Sequence, residues 1–221
     1  MFPEIQLDEI LSKVSILGIA GNKSSGKSML MWGQAIFLKE KYPGLDIYVL
    51  GAEQSLFPFL EKKGVTILRS KSELLDLRIK DAVIFVDEFA CLFETKAASK
   101  QREKLEKFFD RVEHLNVKIV FGSAREGYFN KFLCSRLTVV LALEIEYESL
   151  VQGTWFRERA MNIVGNTSDY RLDCERGCVY LVSYTPDFST KKFSFRYIKE
   201  LDSKAGNKNL FANPVKKGRK K

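Results

Sequence analysis

The chain lacks any apolar run approaching the ~20 residues that a membrane-spanning helix needs. Its start, Met1-Phe2-Pro3-Glu4, has neither the basic n-region nor the apolar h-region of a secretory signal. Both absences lead to the expectation of a soluble, intracellular protein without a membrane span. Cysteine is scarce: Cys91, Cys134, Cys174 and Cys178 are too few and too scattered for a disulfide framework. Cys174 and Cys178 flank Glu175-Arg176-Gly177, which reads as a hairpin turn, but one pair is no zinc site, and two half-buried thiols are expected. Internal repeats are also missing, which excludes a solenoid or propeller.

What the chain does have is enough apolar material for one sizeable core, 45% of 221 residues. Its charge is uneven. Of the formal +8, the stretch from Ile198 to Lys221 carries +6, leaving +2 for everything before it. From residue 205 onward Gly, Asn, Pro and Lys dominate, a composition that cannot bury enough apolar surface to fold. The expected organisation is one domain over residues 1–200 and a disordered basic tail over 201–221.

The body is organised around Gly21-Asn22-Lys23-Ser24-Ser25-Gly26-Lys27-Ser28, which fits the phosphate-cradling pattern G-x-x-x-x-G-K-[ST]. Residues 14–20 before it read as a buried strand, and residues 28–40 after it as a helix with Met29, Trp32, Ile36 and Leu38 on an apolar face. A strand, a glycine loop and a helix N-terminus together aim backbone N–H groups and a helix dipole at one anion. In such a loop the glycines permit close approach, Lys27 reaches the β- and γ-phosphates, and the Ser28 hydroxyl can ligate Mg²⁺.

Further on, strands are expected at 46–50 and 64–68, with a short helix over 56–63 between them and a breaker at Tyr42-Pro43-Gly44. The alternation argues for an α/β fold with a mostly parallel sheet flanked by helices. The run Ala82-Val83-Ile84-Phe85-Val86 then ends in Asp87-Glu88, two carboxylates at the strand edge where ligands bind in open α/β sheets. An Asp there can hold the Mg²⁺ shell, and Glu88, one residue on, is free to polarise a water. A charged helix over 98–115 carries Leu105, Phe108, Phe109 and Val112 at helical spacing. A strand over 117–121 runs into Gly122-Ser123-Ala124-Arg125, followed by a helix over 128–135 and an apolar strand over 138–145. The last third, with segments at 154–164, 170–174, 178–184 and 193–198, reads as an antiparallel, β-hairpin-rich extension of the sheet.

In this order the phosphate loop, the Asp-Glu strand, the helix and the strand ending in a small polar residue resemble the additional-strand, catalytic-glutamate class of P-loop ATPases. Within that class the chain is similar to the HerA/FtsK superfamily, and most of all to the genome-packaging ATPases of membrane-containing icosahedral viruses of archaea and bacteria. The resemblance covers about residues 14–145, and the β-rich third matches only loosely. It implies that Asp87 and Glu88 are the Walker B pair, that Arg111 lies in the helix before the sensor strand, that Ser123 takes the sensor place, and that Arg136 closes the following short helix. The chain departs from the pattern at Ala124, where the family has glutamine, so Ser123 or Arg125 would sense the γ-phosphate, or the enzyme is a slower, divergent one.

The implied reaction is ATP hydrolysis with Mg²⁺ at Ser28 and Asp87, Lys27 and the loop amides on the phosphates, and Glu88 orienting water. An arginine from a neighbouring subunit adds on the order of 10³ to 10⁵ in rate in such systems, and Arg111 and Arg136 are the candidates. The implied setting is a homo-oligomeric ring that moves double-stranded DNA, with capsid or portal proteins as further partners, in the host cytoplasm or associated with the virion. Two alternatives stay open. One is an assembly or export ATPase resembling the zonula occludens toxin-like proteins of filamentous phages. The other is a small-molecule kinase, which would need an acceptor pocket and an arginine-rich lid. Glu88 beside Asp87 favours water as the nucleophile, and the basic tail favours a polymer partner.

Overall fold

A computed structural model describes residues 4–21, 25–76, 78–88, 99–123, 137–143, 145–146, 171–172, 178–183, 191–195 and 198–201. In chain order the elements are α1 (Leu7–Lys13), β1 (Ile16–Ala20), α2 (Lys27–Lys41), β2 (Asp46–Leu50), α3 (Phe57–Lys62), β3 (Thr66–Leu68), α4 (Lys71–Asp76), β4 (Ala82–Val86), α5 (Ser99–His114), β5 (Lys118–Ser123), β6 (Val139–Ala142), β7 (Ile145–Glu146), β8 (Arg171–Leu172), β9 (Cys178–Ser183) and β10 (Lys191–Ser194). Eight of the strands form one sheet in the order β10-β9-β6-β1-β5-β4-β2-β3. The pairings from β6 across to β3 are all parallel, and β9 and β10 extend the β6 edge antiparallel.

The sheet is buried on both faces because β1 and β4 are apolar at every position and β5 from Ile119 to Phe121, and their side chains alternate between two cores. Ile84 and Val86 of β4 join one core with Ile119 and Phe121, covered by Leu105, Phe108, Phe109 and Val112 of α5. Val83 and Phe85 point the other way and join Leu17, Ile19 and Val120 under Leu30, Met31, Trp32 and Ala35 of α2 and Leu7, Ile10 and Leu11 of α1. Full burial of each large side chain contributes about 1.5–3 kcal/mol, and Trp32, Phe85, Phe109 and Phe121 are among those fully enclosed. The apolar stripe expected on α5 therefore faces the sheet. Among the described residues no helix is long and apolar enough to cross a membrane.

Strand β5 lies between β1 and β4, the strands that carry the glycine loop and the acidic pair. This is the added strand that the resemblance implied. The expected edges mostly hold within a residue or two, and the exceptions have local causes. The strand expected from residue 64 begins at Thr66, because Gly64 (φ +80°) and Val65 close α3 in a Schellman motif, Val65 N–H donating to Leu60 O at 3.1 Å and Gly64 N–H to Glu61 O at 2.9 Å. The strand expected over 138–145 stops at Ala142, and Leu143 N–H still reaches Ala20 O, the last residue of β1, at 2.9 Å.

Cys174 and the turn expected at Glu175-Arg176-Gly177 lie outside the described residues. Arg171–Leu172 pairs with Ile145–Glu146 in a separate two-stranded sheet. On one edge of β9, β6 pairs with Tyr180–Ser183, and on the other β10 pairs with Cys178–Leu181. The helix expected over 128–135, the strand over 154–164 and the tail over 202–221 lie outside the described residues.

Candidate nucleotide-phosphate site

Strand β1 delivers the loop, and α2 begins at its end. Gly26, at φ +95°, is the left-handed residue on which the chain turns into the helix at Lys27. Gly21 is required for a different reason: a Cβ there would lie 2.5 Å from Ser25 Oγ and 3.2 Å from Leu143 Cβ. Its N–H donates to Ser123 O at 3.3 Å, fastening the loop to the end of β5. Ser25 Oγ is buried and has no hydrogen-bond partner among the described residues. An orphaned hydroxyl inside a glycine loop at a helix N-terminus fits a site built for an oxyanion.

Lys27, Ser28, Asp87 and Glu88 come together here. Lys27 Nζ donates to Asp87 Oδ1 at 2.8 Å and to Glu88 Oε1 at 2.9 Å. Ser28 Oγ donates to Asp87 Oδ2 at 2.6 Å. The Glu88 N–H closes the set on Asp87 Oδ1 at 2.9 Å, and Asp87 N–H is held by Leu50 O at 2.9 Å. Lys27 and Asp87 are only 6% and 5% exposed, so this is a buried pair with its hydrogen bonds satisfied. Burial disfavours the Lys27 ammonium, yet the charge of Asp87 and the hydrogen bonds of Asp87 and Glu88 outweigh it and hold the lysine pKa above its ordinary value. The Glu88 side chain is 48% exposed, open to a water or phosphate above the pair.

The oxygen donors of Ser28 and Asp87 suit Mg²⁺, a hard cation usually bound through one or two carboxylates together with substrate phosphates. Those two residues would hold it.

The remaining expected residues divide. Ser123 ends β5 in register with Ala20, at the same sheet edge as the loop, and is 1% exposed. Arg111 is placed elsewhere. It lies in the last turn of α5, near Leu115, whose carbonyl accepts from Asp81 N–H at the start of β4. A five-residue strand, ~17 Å at ~3.3 Å per residue, separates that edge from Asp87. There Arg111 Nη2 donates to Leu75 O at 2.8 Å, and the arginine lines a groove of 710 Å³ with Leu75, Asp76, Arg78, Lys104, Lys107 and Asp110. Asn22, Lys23, Ser24, Ala124, Arg125 and Arg136 lie outside the described residues. Two glycines to which the sequence assigned no role, Gly51 and Gly122, abut Asp87. Their only sequence signal is a glycine at each strand end.

No family model matches the sequence, and no curated protein does. Among solved structures the chain is similar to the genome packaging NTPase B204 from Sulfolobus turreted icosahedral virus 2 in complex with ATP-gammaS, with a TM-score of 0.59 and 14% identity over 82% of this chain and 98% of that one. The AMPPCP complex of the same protein gives 0.57 and 11%, covering 84% and 99%. The cytoplasmic domain of the type VII secretion ATPase EccC from Thermomonospora curvata gives 0.57 and 11%, covering 85% of this chain and 24% of that one. With β5 inserted between the loop strand and the acidic strand, and Lys27, Ser28 and Asp87 joined across it, the chain has the P-loop NTPase fold.

Proposed function

We propose that the protein is an ATP-hydrolysing motor that moves double-stranded DNA, of the kind that packages viral genomes. The observation that carries the ATPase part is the joining of Lys27, Ser28, Asp87 and Glu88 at the mouth of a glycine loop. In this reading the loop amides, Ser25 and Lys27 bind the β- and γ-phosphates, and Glu88 orients a water for in-line attack. Ser28 and Asp87 would hold Mg²⁺, which would supply neutralisation of the charge on the phosphate oxygens. Phosphoryl transfer needs mostly positioning and charge stabilisation, so this set is chemically sufficient. Ser123 would sense the γ-phosphate. Arg111 and Arg136 would act on the nucleotide of a neighbouring copy in a homo-oligomeric ring.

The DNA-packaging part rests on the B204 likeness and on the tail, where Lys216, Lys217, Arg219, Lys220 and Lys221 stand together without an acid. Capsid or portal partners, and a place in the host cytoplasm or virion, follow from the same reading. An export or assembly ATPase is the second reading, favoured by the likeness to a secretion ATPase.

The test is ATP turnover with and without duplex DNA. Glu88→Gln should bind ATP and hydrolyse it at least tenfold more slowly, and Lys27→Ala should lose nucleotide affinity. Truncation after Pro214 should keep basal turnover but flatten the salt dependence of DNA binding by up to about 3.5–4.5 log–log units, at roughly 0.7–0.9 per lost phosphate contact. Wild-type turnover in Glu88→Gln would refute the hydrolytic assignment. Indifference to DNA would favour the export reading.

A further inference from the structure

Strand β4 sits between β5 and β2, and each neighbour presents a glycine to Asp87. On the β2 side, Gly51 follows Leu50 at φ +93°, and a Cβ there would lie 2.8 Å from the Asp87 carbonyl oxygen. On the β5 side, a Cβ on Gly122 would lie 2.6 Å from Asp87 Oδ1 and 2.6 Å from Met31 Sδ. Gly51 has a backbone reason to be glycine. Gly122 has none, since it pairs regularly with Ile19 in mid-sheet and its φ is not in the left-handed region. A glycine inside a strand is less favourable than alanine and marks a site of close approach. The group that approaches here is a carboxylate.

We infer that Gly122 is a positioning residue for Asp87, holding its carboxylate in the orientation that serves Lys27, Ser28 and Glu88 at once. Oδ1 is the oxygen that accepts both Lys27 Nζ and the Glu88 N–H, while Oδ2 accepts Ser28 Oγ. The two oxygens are rigidly joined, so a methyl pressed against Oδ1 turns Oδ2 away from Ser28 as well. The Asp87 backbone cannot retreat to absorb the shift: its N–H is bonded to Leu50 O and its carbonyl abuts Gly51. A side chain at position 122 therefore loosens the Ser28–Asp87 pair without touching the phosphate loop. The inference rests on the nucleotide reading above and predicts a selective defect in Mg²⁺ use, because residues that orient metal ligands typically change metal affinity by about 10- to 100-fold.

The experiment follows binding of N-methylanthraniloyl-ATP by fluorescence, in EDTA and across a Mg²⁺ titration. Gly122→Ala should need about tenfold or more Mg²⁺ for half-maximal effect, with nucleotide affinity in EDTA as in wild type. Because the new methyl also meets Met31, Met31→Val/Gly122→Ala separates the two contacts: it removes the sulfur and keeps the methyl on Oδ1. The double variant should regain thermal stability and retain the Mg²⁺ defect. A wild-type Mg²⁺ midpoint in either variant would overturn the inference, in the double variant because Met31 packing would be the whole cause. A wild-type protein that binds no nucleotide would overturn the site assignment itself, and this inference with it.

Discussion

Glu88 carries its carboxylate on a backbone at φ +48°, a region that non-glycine residues occupy at a cost of about 1–3 kcal/mol. The turn is imposed from both sides. Asp87 must end β4 under Leu50 O, and Glu88 N–H must point back at Asp87 Oδ1. The ion pair from Lys27 to a half-exposed Glu88 returns little of that cost. Glu88→Gly is therefore expected to keep or raise the melting temperature while abolishing ATP turnover. A fall in melting temperature of several degrees would show that the Lys27 pair outweighs the backbone strain. The acids themselves were legible in the sequence, because five apolar residues followed by Asp-Glu place two carboxylates at a strand end. The strained turn and the two glycines around Asp87 were not. They are properties of three strands brought side by side, and no one of those strands carries the pattern alone.

Among the elements, α1 is held to the end of α2 by a small polar cluster. Asp8 Oδ2 accepts from Lys41 Nζ at 2.7 Å and from Tyr42 Oη at 2.8 Å. Partial burial pushes the Asp8 carboxyl up, but those two donors outweigh it and leave its pKa below the ordinary 3.8. A carboxylate with a depressed folded-state pKa contributes stability that is present above 3.8 and lost as pH falls through the lower folded value. Asp8→Asn should melt below wild type near neutral pH, and the gap should close in acid. A gap that persists below the folded pKa would mean that the charge is not what joins the helices.

In the sequence Leu7, Ile10 and Leu11 show an apolar face, but nothing in them names Lys41. Helix α5 was plainer, its stripe running from Leu105 to Val112, about two turns. The missed helix, α4, had a signal: Ser70 and Glu73 form a capping arrangement, Glu73 N–H donating to Ser70 Oγ at 3.2 Å and Glu73 Oε2 accepting from Arg69 N–H at 2.9 Å. Segment 171–172 had no comparable signal, because its described partner, Ile145–Glu146, lies far from it in the sequence.

For the molecule as a whole, Arg111 and the phosphate loop lie at opposite edges of one sheet, so this arginine cannot serve its own nucleotide without dismantling α5. Any catalytic part it plays is in a second copy. Arg111→Ala should bind ATP normally and turn it over slowly, and mixing it with Glu88→Gln should restore activity at interfaces that pair an intact Arg111 with an intact Glu88. No recovery at any mixing ratio would remove Arg111 from the mechanism and leave it as the helix-to-helix tie seen at Leu75.

The position of β1 has a consequence for how the protein is made. Of the described strands Ile16–Ala20 leaves the ribosome before the others, and its two neighbours in the sheet come much later: Ile16 pairs with Ile119 on one side and Gly18 with Val140 on the other. At a synthesis rate of about 5–20 residues per second, the central strand of the sheet spends on the order of 5 to 20 s without a ladder partner on either edge. During that interval five consecutive apolar residues, joined directly to the phosphate loop, depend on α1 and α2 or on a chaperone for cover.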